Sequence, residues 1–164
     1  MAKSPPTELP GGPTSLTQRG RRKRNLSWDS LISSFEAGDF LVIPLTCSDD
    51  LCKEGEEMNH CVGRRYHRWC HVGAVRVFSI RDLDDRRLAT ASIFFDFEVA
   101  RWRLEQCKGF DNIEVCVDKT SSDNAFLQAE PSELYFVVQY LVVQYQKAQD
   151  NIETDTVIPR RQGK

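Results

Sequence analysis

The chain reads as an α+β domain: a small antiparallel sheet of three to five strands packed against helices, preceded by a disordered basic arm. Three observations predict it. Residues 74–108 hold three successive strand-like segments separated by a charged turn and a short break. Further on, Leu134, Val137, Val138, Leu141, Val142 and Tyr145 recur at the i, i+3, i+4, i+7 spacing of an amphipathic helix. With 164 residues, 40% apolar and 28% charged, the composition is that of one globular domain with tails.

Residues 1–24 are rich in Pro, Gly, Ser, Thr and Arg with little to bury, which predicts the disordered arm. The domain is expected over 25–150, with a polar and basic tail over 151–164. Ser27 is placed to cap a short helix carrying Trp28, Leu31, Ile32 and Phe35, ended by Gly38. Phe40 to Leu45 reads as a short strand stopped by Pro44. Ser48 reads as the next N-cap, with Asp49 and Asp50 in the first turn, where a helix dipole favours acids. The stretch to Cys61 is helical or turn-like, broken by Gly55 and again by Gly63, and Arg64 to His71 is a further short helix closed by Gly73.

Val75 to Ile80 then opens a meander of hairpins, with Arg81 to Arg87 as a solvated charged turn and Leu88 to Phe97 as the second strand. Arg101 to Lys108 is the third. There Trp102, Leu104 and Gln106 alternate with Arg101, Arg103 and Glu105, the period of a strand with two unlike faces. Glu130-Pro131-Ser132-Glu133 begins the long helix, with Pro131 near its first turn, and that helix is expected to pack on the sheet.

No apolar run approaches the roughly 18 residues of a membrane helix, and the first residues lack the apolar core of a secretory signal. The expectation is a cytoplasmic protein without membrane insertion. Its formal charge of −2 averages unlike parts. Residues 1–24 carry six bases and one acid, whereas 25–158 carry 13 bases and 23 acids; Arg160, Arg161 and Lys164 restore positive charge at the end. Arg19, Arg21, Arg22, Lys23 and Arg24 place five cations within six positions on a tether, a pattern that associates with nucleic acid non-specifically and salt-dependently. The alternative is a solubilising charge block. No helix-turn-helix, zinc-finger or RNA-binding aromatic pattern accompanies the arm, so sequence-specific readout is not expected.

Six cysteines, Cys47, Cys52, Cys61, Cys70, Cys107 and Cys116, are read in this setting as reduced thiols, metal ligands or one reactive nucleophile. His67, Cys70 and His71 fall at i, i+3 and i+4 near one helix face, and Cys61 or Cys52 could complete a zinc set. The alternative is an aromatic and basic helix face, and no cofactor is named by the sequence. In Glu54-Gly55-Glu56-Glu57-Met58-Asn59-His60-Cys61-Val62-Gly63 a histidine adjoins a thiol, with Arg64 and Arg65 within a turn; both conditions favour a thiolate. Neighbouring helical residues diverge by about 100°, so His67 or His71 is the expected partner of Cys61 rather than His60. The alternative is that Cys61 packs as a small hydrophobe. Gln106, Lys108, Gly109 and Asn112 end the third strand in a glycine turn. Gln106 and Asn112 either offer amides to a pocket beside the thiol or satisfy the turn. The candidate catalytic set is therefore Cys61, His60, Gln106 and Asn112.

These residues stand in an order that resembles the PcfJ-like family of plasmid and phage proteins. That family is similar in an EGxxMxHCVG block, a following tyrosine, an FSIR-like strand, a T-x-x-I strand and a Q-x-x-G-x-x-N end. The matching positions are His60, Cys61, Gly63, Tyr66, Arg81, Gln106, Gly109 and Asn112, within residues 51–112. The resemblance implies a small α+β domain and a mobile-element setting such as a conjugative plasmid or a phage, with no activity to carry over. The chain departs from the family in its arginine-rich 64–71 stretch, which leaves His67, Cys70 and His71 outside what the resemblance implies. Three functions are expected in turn. The first is a mobile-element accessory protein that binds nucleic acid or a nucleoprotein partner through basic arms. The second is a small enzyme centred on Cys61 and a histidine, and the third is a regulator that docks another protein on its acidic core.

Overall fold

The computed structural model describes residues 25–115 and 133–157. The basic arm, Cys116, Pro131 and residues from 158 onward lie outside the described residues. Five strands, β1 (Phe35–Ala37), β2 (Phe40–Pro44), β3 (Val75–Asp82), β4 (Arg87–Asp96) and β5 (Arg101–Lys108), form one antiparallel sheet in sequence order. Helices α1 (Ser48–Glu57), α2 (Val62–Arg65) and α3 (His67–His71) are inserted between β2 and β3, and α4 (Glu133–Val157) follows the sheet. The α+β expectation is met, with the sheet at the upper end of its expected strand number.

Each sheet face has its own core. Phe78, Ile80, Ala89, Ala91, Ile93 and Cys107 pack with Val137, Val138, Leu141 and Tyr145 of α4. Val75, Val77 and Leu45 pack with Leu51, Val62, Tyr66 and Cys70 of α1–α3. Alternation along β3 and β4 makes this possible, because successive side chains serve opposite layers. Ala89 and Ala91 go to the α4 core, while Thr90 and Ser92 face the inserted helices.

Several expectations are corrected. Residues 27–34 are not helical; Ser27 makes an isolated bridge with Cys47, and Phe35 begins a strand. Asp29, Ser30, Ser33 and Ser34 are poor helix formers. Tertiary bonds claim the segment instead: the Trp28 indole donates to the Leu45 carbonyl at 2.8 Å, and Leu31 N donates to the Tyr145 hydroxyl at 3.2 Å. Gly38, at φ +61°, turns the β1–β2 hairpin rather than ending a helix. Cys47, not Ser48, is the α1 N-cap, and its sulfur accepts from Asp50 N. Gly55 lies inside α1 instead of breaking it, Gly63 lies inside α2, and α4 continues past Asp150 to Val157.

The bounds of β5 agree with the sequence reading, but its faces do not. Ser92 pairs with Gln106 while Ile93 pairs with Leu104, so Glu105 is the extra residue of a β-bulge. Trp102 is therefore buried with Cys107, while Gln106 moves to the opposite face and joins Thr90, Ser92 and Lys108. A bulge that shifts the parity of a strand accounts for both halves of this change.

Candidate functional site

The cross-strand pairs Thr90–Lys108 and Ser92–Gln106 make a polar floor on the face that α1–α3 cover. The turn from α1 into α2 supplies the wall. It needs a close helix crossing, and Gly55 and Gly63 permit it. Asn59 takes the left-handed region at φ 50°, and His60 N donates to Gly55 O at 3.0 Å, which turns His60 and Cys61 toward the sheet. The third side comes from the 3-10 turn Phe110–Asn112, where Asp111 and Asn112 are also left-handed, at φ 54° and 62°. Asn59 donates its side-chain amide to Asp111, and Asp111 N donates to Met58 O at 3.0 Å. Asn and Asp tolerate this backbone region better than most residues.

His60, Cys61, Val62, Thr90, Ser92, Gln106, Lys108 and Asn112 together line one cleft. All four residues of the expected catalytic set are present in it. The space within it is about 10 Å3, the room of a single water-sized group. On the other side, His60 and Cys61 border an open depression of about 670 Å3 lined also by Cys52, Gly55, Glu56, Asn59, Gly63 and Arg64. Cys61 is exposed, not packed in a core.

Behind the cleft stands a buried polar chain. Thr90 Oγ1 donates to Glu54 Oε1 at 2.7 Å, and His60 Nε2 lies 2.8 Å from the same hydroxyl oxygen. Arg87 Nε donates to Glu54 Oε2 at 2.7 Å, and a second Arg87 nitrogen pairs with Glu57. Glu54 is fully buried and its carboxylate only accepts. The single Thr90 proton is committed to Glu54, so His60 Nε2 carries the proton that bonds Thr90. In the neutral ring Nδ1 is then left as the basic lone pair. Burial holds the His60 pKa below its ordinary 6.5, while the negative charge of Glu54 pulls it back up. Gln106 donates to the Tyr66 hydroxyl at 2.7 Å, and burial raises the Tyr66 pKa.

The other candidates go elsewhere. His67 lies 3.9 Å from the Cys52 sulfur and contacts the Gly63 carbonyl, and His71 reaches the Ser27 carbonyl at 3.3 Å, so neither partners Cys61. Cys70 is buried in the α1–α3 core, and burial pushes its thiol up to about 12. The suggested zinc set is thus dispersed. Among the described residues no three His, Cys, Asp or Glu side chains form a group that could hold a metal ion. Arg19, Arg21, Arg22, Lys23 and Arg24 lie outside the described residues. Within the described residues no helix is long and apolar enough to cross a membrane.

Glu54, Arg87, Thr90, Ser92, Asn59 and Asp111 were not among the expected site residues. Thr90 and Ser92 had a visible signal, hydroxyls alternating with alanines in a strand. Glu54 heads the block that carries the family resemblance, but nothing there marked it as buried beside the cleft, and Arg87 had no signal, being far from Glu54 in sequence and joined to it only by the crossing of α1 over β4.

Fold and site together define a small α+β domain with a polar, thiol-bearing cleft between its sheet and an inserted helical hairpin. A family model described as PcfJ-like protein matches residues 15–121, more than half of the chain, and the chain belongs to that family. None of the curated proteins and none of the solved structures matches it.

Proposed function

We propose that the domain is a small thiol enzyme in which Cys61 is the nucleophile and His60 accepts its proton. Thr90 and Glu54 are positioning residues that fix the imidazole, and Gln106 and Asn112 face the substrate. The observation that carries this reading is the convergence of residues from the α1–α2 turn, α2, β4, β5 and the 110–112 turn on one cleft beside an exposed thiol. A histidine held largely neutral by burial, with a carboxylate behind it through Thr90, is suited to take a thiol proton. The test is iodoacetamide alkylation near pH 7, followed residue by residue. Cys61 of the folded protein should react faster than Cys61 in the denaturant-unfolded chain, and His60→Gln should remove the difference. Equal rates in the two states would end the thiol reading.

A second reading concerns the setting, a cytoplasmic accessory protein of a plasmid, phage or other mobile element that holds nucleic acid through its arms. Membership in the PcfJ-like family favours the setting. The cations at 19–24 beside a net-negative 25–158 favour the arms over the domain as the polyanion contact. Removing residues 1–24 should abolish salt-sensitive retention on nucleic acid, and undiminished retention would refute this role.

A further inference from the structure

We infer that the cleft beside Cys61 is an oxyanion hole, so that the substrates of the site are compounds with an acyl carbonyl, an ester or an amide. This rests on the reading of Cys61 as the nucleophile. The space in the cleft is about 10 Å3, too small for a substrate and matched to one oxygen atom. Hydrogen-bond donors surround it. The Gln106 amide has two N–H groups, one of them given to Tyr66. The Lys108 ammonium has three, one of them paired with Glu114. The Asn112 amide is presented from a left-handed turn. Cys61 borders both this hole and the open depression of about 670 Å3, so a carbonyl carbon at the sulfur can put its oxygen into the hole and the rest of the molecule outside. Donors fixed where negative charge develops are what acyl transfer requires, and alkylation at a saturated carbon makes no such demand.

The step balances with water as the only co-reactant. Sulfur attacks the carbonyl carbon, the thiol proton passes to His60 Nδ1, and the carbonyl oxygen gains the negative charge. As that charge returns, the bond to the leaving group breaks, and the leaving group departs with the proton. Water then attacks the thioester, releasing the acid and restoring the thiol.

The experiment compares two reagents on the full chain: acetylation of Cys61 by p-nitrophenyl acetate and its alkylation by iodoacetamide. Gln106→Leu keeps bulk without the amide, and Asn112→Gly keeps the left-handed backbone. Each should lower the ratio of acetylation to alkylation about tenfold or more, a modest share of what one oxyanion donor typically contributes. Alkylation of the same sulfur in the same variant is the folding control: a fallen ratio counts only where alkylation keeps its wild-type rate, because an unfolded chain loses the hole and its ratio falls as well. An unchanged ratio in both variants overturns the oxyanion hole while leaving the reactive thiol standing. If wild-type Cys61 reacts with neither reagent faster than in the unfolded chain, the thiol reading itself fails and the inference falls with it.

Discussion

Gly55 and Gly63 touch backbone to backbone: a Cβ on Gly55 would stand 2.9 Å from Gly63 N, and one on Gly63 would stand 2.8 Å from Leu51 O. No flexible side chain is there to give way. Gly63→Ala should destabilise the fold by about 1–3 kcal/mol, the usual cost of overpacking. Urea unfolding measures it. The same variant should slow Cys61 alkylation, because the turn that presents the thiol is set by this contact.

The Glu54–Arg87 pair is fully buried on its acidic side. Arg87→Met should cost about 3–5 kcal/mol by leaving a carboxylate desolvated with only Thr90 to bond it. Glu54→Leu combined with Arg87→Met should cost less than Arg87→Met alone. A double-mutant cycle in chemical denaturation gives the comparison.

His60 holds its proton less tightly in the folded protein than in the unfolded chain, through burial. Below pH 6.5 the unfolded chain therefore binds more protons. The His60 contribution to stability should be complete above 6.5, fall as pH drops through that value, and level off below the folded pKa. An NMR titration should find the His60 midpoint under 6.5. Glu54→Gln, which removes the charge that raises it, should move the midpoint lower still; an upward move would contradict the arrangement.

Tyr145 is fully buried and its hydroxyl accepts from Leu31 N at 3.2 Å and Arg76 Nε at 3.1 Å. Tyr145→Phe keeps the ring contacts with Phe78 and Trp102 and leaves those donors without an acceptor. The expected cost is about 1–3 kcal/mol, with proteolysis in the 25–34 segment rising first, since that segment loses a tie to α4.

What could be read in the sequence was what depends on local periodicity. β5 has the bounds its alternation indicated, and Leu134 to Tyr145 packs on the sheet at the helical spacing. What could not be read depended on partners distant in the chain. The 27–34 segment has an apolar pattern compatible with a helix, but bonds to Leu45, Thr46 and Tyr145 hold it in a non-helical path that bends at Leu31 and Ile32. Gly55 looked like a helix breaker because its packing partner, Gly63, is apparent only once α2 folds back on α1. For the site, the convergence of His60, Cys61, Gln106 and Asn112 was expected, but the choice of His67 or His71 as the thiol's partner assumed that His60 and Cys61 are neighbours on a helix. The chain turns at Asn59 instead, and His60 is the imidazole that lines the cleft. No periodicity marks a bulge, so the displacement of Gln106 to the site face was invisible.

The insertion of α1–α3 between two neighbouring strands gives the two halves of the cleft separate fates. Its floor belongs to β4 and β5, in the middle and at the edge of the sheet, and its wall to a 30-residue excursion that packs on the sheet through a small core shared with Val75 and Val77 of β3. Such an excursion can unfold as a subglobal unit while the strands on either side remain paired. Amide exchange in α1–α3 should accordingly run ahead of exchange in β3 and β4. Competence at Cys61 would then be lost and regained on the timescale of that opening, without global unfolding.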